Sequence, residues 1–302
     1  MPPAFPAANL PAARLLAATL EPTIGQVYFA PEAHSAYHAL GFAGSPGAIG
    51  ELHMPDGAAY FTSRGALMGQ VAPTVIAAAF AVFNPAAVVP AVEYGWSLTD
   101  APTIRAARLV GAVAQLQRCV GPVQDGHVER AGELLARAVD PLQPEGRPLF
   151  AGAQYHFVSD ADPWMRFFQL GDILREYRGD AHTAAWISAG LIAQEINLAS
   201  ELFMGLPART YSRSRGWSDA EFDTAAQRLV ARGWFSADHT LTEAGHLGRD
   251  AIESATDAQL APAIAALGDD LDELINILSP WGVLIRAAGG YPQSATEIRI
   301  PQ

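Results

Sequence analysis

Apolar positions in this chain recur at helical spacing nearly from end to end, with short turn-like breaks between the runs. The pattern predicts helices over Leu10 to Leu20, Pro31 to Leu40, Pro73 to Phe83, Pro85 to Trp96, Asp100 to Val120 and His127 to Val139. Further helices are expected over Pro163 to Tyr177, Asp180 to Met204, Ser218 to Arg232, Thr242 to Ala255 and Asp269 to Leu278. Start signals support several of these: Asp162 before Pro163 is an N-cap followed by proline at the first helical position, and Ser218 stands three residues before Glu221 as a capping box. In the run from Pro163, Trp164, Phe167, Leu170 and Leu174 share one arc, on which the helix is expected to pack, and Gln169, Asp172 and Glu176 lie on the other. His182 to Gln194 is uncharged all round, as in a helix at the centre of a core. Gly65 to Val92 is also uncharged, but Pro73, Asn84, Pro85 and Pro90 cut it into pieces too short to span a bilayer. Pro141 to Pro148 reads as a linker, and Gly41, Gly44, Gly47 and Gly50 punctuate a loop without forming a nucleotide-binding motif.

The stretch from Trp217 to Thr242 carries the most specific pattern. A helix ends at Gly233, then Trp234-Phe235, a polar tip of Ser236-Ala237-Asp238-His239, and Thr240-Leu241-Thr242 read as a hairpin before the next helix opens at Glu243. This is the order of a recognition helix and wing, elements that enter the major groove and lie on phosphates in a DNA reader. Here the helix opens with Asp219, Glu221 and Asp223, and the hairpin contains no arginine. Arg209, Arg213 and Arg215 form a basic cluster just before it, but the acidic helix opposes phosphate contact. Specific DNA binding is therefore not expected.

Composition narrows the picture further. The chain has 302 residues, half of them hydrophobic, enough for one large or two average domains with sizeable cores. All 19 basic residues are arginine, as in the codon usage of a GC-rich genome, which excludes a lysine Schiff base or a phosphate-loop lysine. A formal charge of −12 repels nucleic acid and acidic membranes. Cys119 is the single cysteine, so no intramolecular disulfide or cysteine-based metal knuckle is available. The Ala- and Pro-rich start lacks the pattern of a secretory signal, and a cytoplasmic location is expected.

Candidate chemistry is sparse. Glu195 shares a helical face with Leu191, Leu198 and Leu202, whereas Gln194, Asn197 and Glu201 share a polar face. A carboxylate on an apolar face needs a cationic or hydrogen-bonding partner, either a structural arginine or a ligand in a pocket. His182, behind Asp180 as a helix cap, lies about 20 Å from Glu195 along a straight helix, too far for the two to act on one atom. His34 and His38 sit one helical turn apart on one face, where they could bind a divalent metal with His53 or Glu51 as a further ligand. The spacing is common on solvated helices and no HExxH-type glutamate lies between them, so no metal is expected. No nucleophile elbow occurs. Tyr60, Arg64, Asn84 and Trp96 border the uncharged segment as pocket-lining or as packing and capping residues, with Arg64 suited to an anion. No cofactor is indicated.

Two strings, Tyr60-Phe-Thr-Ser-Arg64-Gly65 and Tyr211-Ser-Arg-Ser-Arg215-Gly216, stand half a chain length apart, as a duplication would place them. Separately, Arg178-Gly-Asp-Ala-His182, the apolar run through Glu195, Arg215-Gly-Trp217-Ser with Phe222 and Leu229, Ala231-Arg-Gly233, Leu241-Thr-Glu-Ala-Gly245 and Phe83-Asn84-Pro85 give the chain a resemblance to an actinobacterial helix-turn-helix family related to MarR-type winged helices. The resemblance implies a mainly α fold of two winged-helix-like halves with short β-hairpin wings, 1–150 and 151–302, arranged as a MarR-like pseudo-dimer in one polypeptide. It also implies a small-molecule site between the helical region and the winged helices, and a monomer in solution. A small-molecule-binding protein without DNA affinity is the leading expectation. A ligand-responsive transcription regulator, or an enzyme using the internal pocket through Glu195 and His182, are the alternatives.

Overall fold

The computed structural model describes residues 11–293, so the expected helix start at Leu10 lies outside them. The first half comprises α1 (Ala12–Gly25), α2 (Pro31–Ala39), the strands β1 (Ala48–Ile49) and β2 (Leu52–His53), then α3 (Gly57–Gly65), α4 (Pro73–Phe80), α5 (Pro85–Leu98), α6 (Ala101–Val120) and α7 (His127–Val139). The second comprises α8 (Pro148–Tyr155), α9 (Pro163–Ser188), α10 (Ala193–Phe203), α11 (Asp219–Ala231), α12 (Glu243–Gln259), α13 (Ala261–Leu267) and α14 (Leu271–Ala287). The fold is mainly α, and its one two-stranded sheet pairs β1 with β2 antiparallel, Ala48 opposite His53.

Local chemistry explains most element starts. Asp56, Asn84, Asp100 and Asp162 each accept backbone N–H bonds at the head of α3, α5, α6 and α9, and Ser218 with Glu221 closes the expected capping box on α11. The expected break at Arg178-Gly179-Asp180 is absent. α9 runs straight through it and stops instead near Gly190, whose φ of 73° ends the helix in the left-handed region. Asp180 therefore does not cap its own helix. Its carboxylate accepts from the N–H groups of Leu149 and Phe150, at 3.0 and 3.1 Å, and so caps α8. Pro148, expected to close a linker, instead opens that helix.

One core runs through both halves, from Ala13 and Leu16 in α1 to Ile277 and Ile285 in α14, with α9 through its middle. Here α1 packs on α9 and α14, α2 on α6, and α7 on α9. Two crossings require glycine. A Cβ on Gly111 of α6 would meet the Ala33 backbone of α2 at 2.4 Å, and one on Gly95 of α5 would meet Thr62 of α3 at 1.9 Å. A second core joins Trp186 and Leu191 to α10, α11, Trp234 and Ile252; a third gathers Phe61, Ile76, Phe80 and Phe83 around α3, α4 and α5.

The segment from α10 to α12 has the helix–turn–helix–hairpin order read from the sequence. Phe235 bridges Leu241 antiparallel, and Ser236 N–H and Thr242 N–H reach the Thr240 and Trp234 carbonyls at 2.9 Å. In the first half the β1–β2 hairpin comes before α3, and α5 passes to α6 with no hairpin between them. Among the described residues no helix is long and apolar enough to cross a membrane.

Candidate functional site

A cavity of about 580 Å³ opens where the first half meets the helix–turn–helix segment. The end of α1 supplies Glu21, the 3-10 turn after it supplies Tyr28 and Phe29, and α3 supplies Tyr60 and Phe61. From the second half come Arg175 of α9 and, from the turn before α11, Tyr211, Ser214 and Arg215. Phe83 and Tyr291 complete the wall, and the segment through Pro46, Gly47 and Met54, with Gly57 at the head of α3, forms a side. The volume falls in the range of small-molecule sites, and the lining combines aromatic rings with the charged groups of Glu21, Arg175 and Arg215 and the hydroxyls of four tyrosines.

A buried ionic network backs this wall. Arg64 holds Glu176 through two bonds of 2.9 and 2.7 Å, and Arg175 reaches the same carboxylate at 3.2 Å. Arg175 also forks onto Glu21 at 2.8 and 3.0 Å, and Tyr291 donates its hydroxyl to Glu21 at 3.1 Å. Deeper, Arg108 makes a bidentate pair with Asp172. Burial acts to raise the Glu176 carboxyl, but the guanidinium of Arg64, with those of Arg175 and Arg108, overcomes it and holds the group at about 2. The Tyr28 hydroxyl accepts from Arg175 at 3.3 Å and from Arg108 at 3.5 Å. Burial nonetheless dominates there and pushes the phenol up to about 12, so Tyr28 keeps its proton at neutral pH.

Arg215 differs from these cations. Its guanidinium lies 4.4 Å from the Phe83 ring centroid and 5.7 Å from that of Tyr211, and it forms no ion pair among the described residues. Its Nε is buried without a hydrogen-bond partner.

The turn carrying Arg215 is organised by a residue that the sequence placed on a polar face. Glu201 is fully buried, and its carboxylate accepts from the N–H groups of Arg209, Tyr211 and Ser212 at 2.6, 2.8 and 2.7 Å, and from the Ser212 hydroxyl. Asn84 pins the same turn from the first half, accepting at Ala86 N–H and donating to the Gly216 carbonyl at 2.9 Å. Trp217 and Asn197 both donate to the Val82 carbonyl. The basic cluster is thereby dispersed: Arg209 is engaged by Asp219 and Asp223 of α11, Arg215 turns to the cavity, and Arg213 stays exposed.

Of the residues singled out from sequence, Tyr60 lines the cavity, and Arg64 donates to its hydroxyl at 3.4 Å from the second layer. Asn84 and Trp96 make backbone contacts, the latter donating to Val71 at 3.1 Å. Glu195 accepts the Ile192 N–H at the head of α10 and pairs with Arg228 at 3.0 Å, away from the cavity. His182 borders a second cleft of about 420 Å³ beside Arg178 and Glu253. Its Nδ1 meets the Thr256 hydroxyl at 3.1 Å rather than Asp180. The Thr256 hydroxyl also lies 2.8 Å from the Ile252 carbonyl, to which it donates. Burial, then the charge of Arg249, lowers this imidazole to about 4. His34 and His38 turn to separate backbone carbonyls, Tyr28 at 3.0 Å and Phe42 at 2.9 Å, and the described residues contain no group of three or more metal-ligating side chains.

Sequence reasoning missed Glu21, Tyr28, Arg175 and Tyr291, which lie in three separate parts of the chain and meet only in the fold. The one signal was the pair of matched strings: both Tyr60-Phe61 and Tyr211 to Arg215 reach the same cavity, although the first is helical and the second a 3-10 turn. A family described only as a helix-turn-helix family matches residues 13–292. The chain belongs to that family. No curated protein and no solved structure matched it significantly.

Proposed function

We propose that this helix-turn-helix protein binds a small molecule in the cavity between its halves, on a MarR-like winged-helix scaffold that no longer binds DNA. The observation that carries this reading is the cavity itself, an aromatic-lined space of about 580 Å³ whose polar groups converge from five elements. The acidic start of α11 supports the second part. Arg209, the cation nearest Asp219 and Asp223, is consumed in pairing with them, leaving little positive charge to displace counterions from a duplex. The two matched strings, meeting at one cavity, favour two related halves acting as a pseudo-dimer within a cytoplasmic monomer.

A second reading, a ligand-responsive regulator, is favoured by one feature. The turn that lends Tyr211, Ser214 and Arg215 to the cavity also holds α11 through Arg209, so an occupant would bear on the helix–turn–helix directly. The remaining alternative, an enzyme, would rest on Tyr28, a phenol held between two guanidiniums as a hydrogen-bond donor.

The test uses N-phenyl-1-naphthylamine, an uncharged apolar fluorophore. It should bind with one site per chain, and Gly57→Trp should abolish binding while preserving the fold. Gly57 lines the cavity, and a Cβ there meets nothing within 4 Å, so the bulk of an indole can be added at the rim without displacing the backbone. Unchanged binding in that variant would refute the site. A nanomolar, salt-sensitive complex with duplex DNA from upstream of the gene would refute the loss of DNA binding and favour the regulator.

A further inference from the structure

Hydrogen-bond accounting of the cavity wall gives an excess of donors. Arg215 has a guanidinium with no carboxylate and no hydrogen-bonding acceptor among the described residues, while aromatic rings lie against it. No described residue accepts a hydrogen bond from this guanidinium, a group able to fork onto a carboxylate or sulfonate. Tyr28 and Tyr60 each accept from an arginine, and neither hydroxyl donates to a described residue. The cavity's carboxylate, Glu21, already accepts three bonds, two from Arg175 and one from Tyr291. Charge follows the same pattern: Arg175 is balanced by Glu21, and Arg215 is balanced by nothing. A ligand rich in donors, or a cation, would leave these groups unpaired in a desolvated space, at a cost per group that outweighs one good contact.

We propose that the occupant is an apolar monoanion with a second acceptor oxygen, a carbonyl or ether, its acid group held by Arg215 and that oxygen by the phenols of Tyr28 and Tyr60. This rests on the binding reading above and goes beyond it by naming the ligand class. Two of the three contacts come from the first half and one from the turn before α11, so the ligand bridges the halves.

Two fluorophores of related shape separate the charge from the apolar contribution: 8-anilinonaphthalene-1-sulfonate, an anion, and N-phenyl-1-naphthylamine, which is neutral. Arg215→Gln should weaken the sulfonate about tenfold or more and leave the neutral probe within about twofold. Arg215→Lys keeps the charge without the planar fork and should fall between, which guards against a folding defect in the glutamine variant. For the second oxygen, 9-oxofluorene-4-carboxylate and fluorene-4-carboxylate compete against the sulfonate probe. The keto acid should win by about fivefold on the native protein, from one added hydrogen bond, and Tyr28→Phe with Tyr60→Phe should erase the difference. Sulfonate affinity indifferent to both Arg215 substitutions, or no preference for the keto acid, overturns the ligand class. Failure of the neutral probe to bind, or its equal binding to Gly57→Trp, overturns the underlying site instead.

Discussion

Replacing Glu176 with glutamine probes the ionic network that supports the cavity wall. Glu176 is wholly buried, and Arg64, its main partner, has a side chain only 14% exposed. The substitution preserves shape but withdraws the negative charge between two guanidiniums. Arg175 retains Glu21, so its loss is partial. Arg64 retains only the Tyr60 hydroxyl at 3.4 Å and the Phe80 ring at 4.7 Å, neither of which neutralises it. Removing one partner of a buried pair costs about 3–5 kcal/mol, and the slight exposure of Arg64 places this case near the lower end, about 3 kcal/mol. Urea unfolding followed by circular dichroism should show that loss as a lower midpoint with an unchanged slope. Adding Arg64→Met should recover part of it, because the unpaired cation is then gone. A loss below about 1 kcal/mol, or a double variant as weak as the two single losses combined, would refute the idea that an uncompensated charge causes the effect.

Glu195→Gln should behave differently: glutamine can still accept the Ile192 N–H, and Arg228 is 58% exposed, so the stability loss should stay below about 1 kcal/mol in the same unfolding assay. His182 is lowered from its ordinary 6.5 to about 4, so it contributes stability that is full above 6.5 and lost as pH falls through 4. Its replacement by glutamine should flatten that part of the stability–pH curve, by on the order of 3 kcal/mol across the window. Asp180 has the opposite sign. Burial and the nearby Glu176 raise it to about 7, so the native state holds its proton more tightly, and the stability this gives at low pH is lost as pH rises from 4 through 7. Asp180→Asn should remove that fall, and thermal melts at pH 5 and pH 8 compare the two ends.

The sequence revealed the helical content, most helix starts and the order of the segment from α10 to α12, because caps and 3.6-residue periodicity are local. It misjudged which faces are buried. Asp172 and Glu176 looked like the solvent side of α9, yet they are among its most enclosed residues, paired with Arg108 and Arg64 at 64 and 112 positions' separation. Periodicity cannot show a polar residue that is buried because its counter-charge arrives from another helix. Glu201 hid for a related reason: its partners are backbone N–H groups of the following turn, which have no sequence signature. Glu195 stood out because it was the carboxylate on an apolar face, but a capping position explains it as well as a ligand does. The cavity could not be read at all before its wall was assembled from distant segments. In sequence Arg215 belongs to a basic cluster beside an acidic helix, and only the fold turns it inward.

The most direct test of a small-molecule site between the halves is a crystal structure of the protein grown with 8-anilinonaphthalene-1-sulfonate. Density is expected in the cavity between Tyr28 and the turn before α11, with the sulfonate on Arg215 and the rings against Phe83. Well-ordered probe bound only elsewhere, with the cavity filled by water or closed, would contradict it.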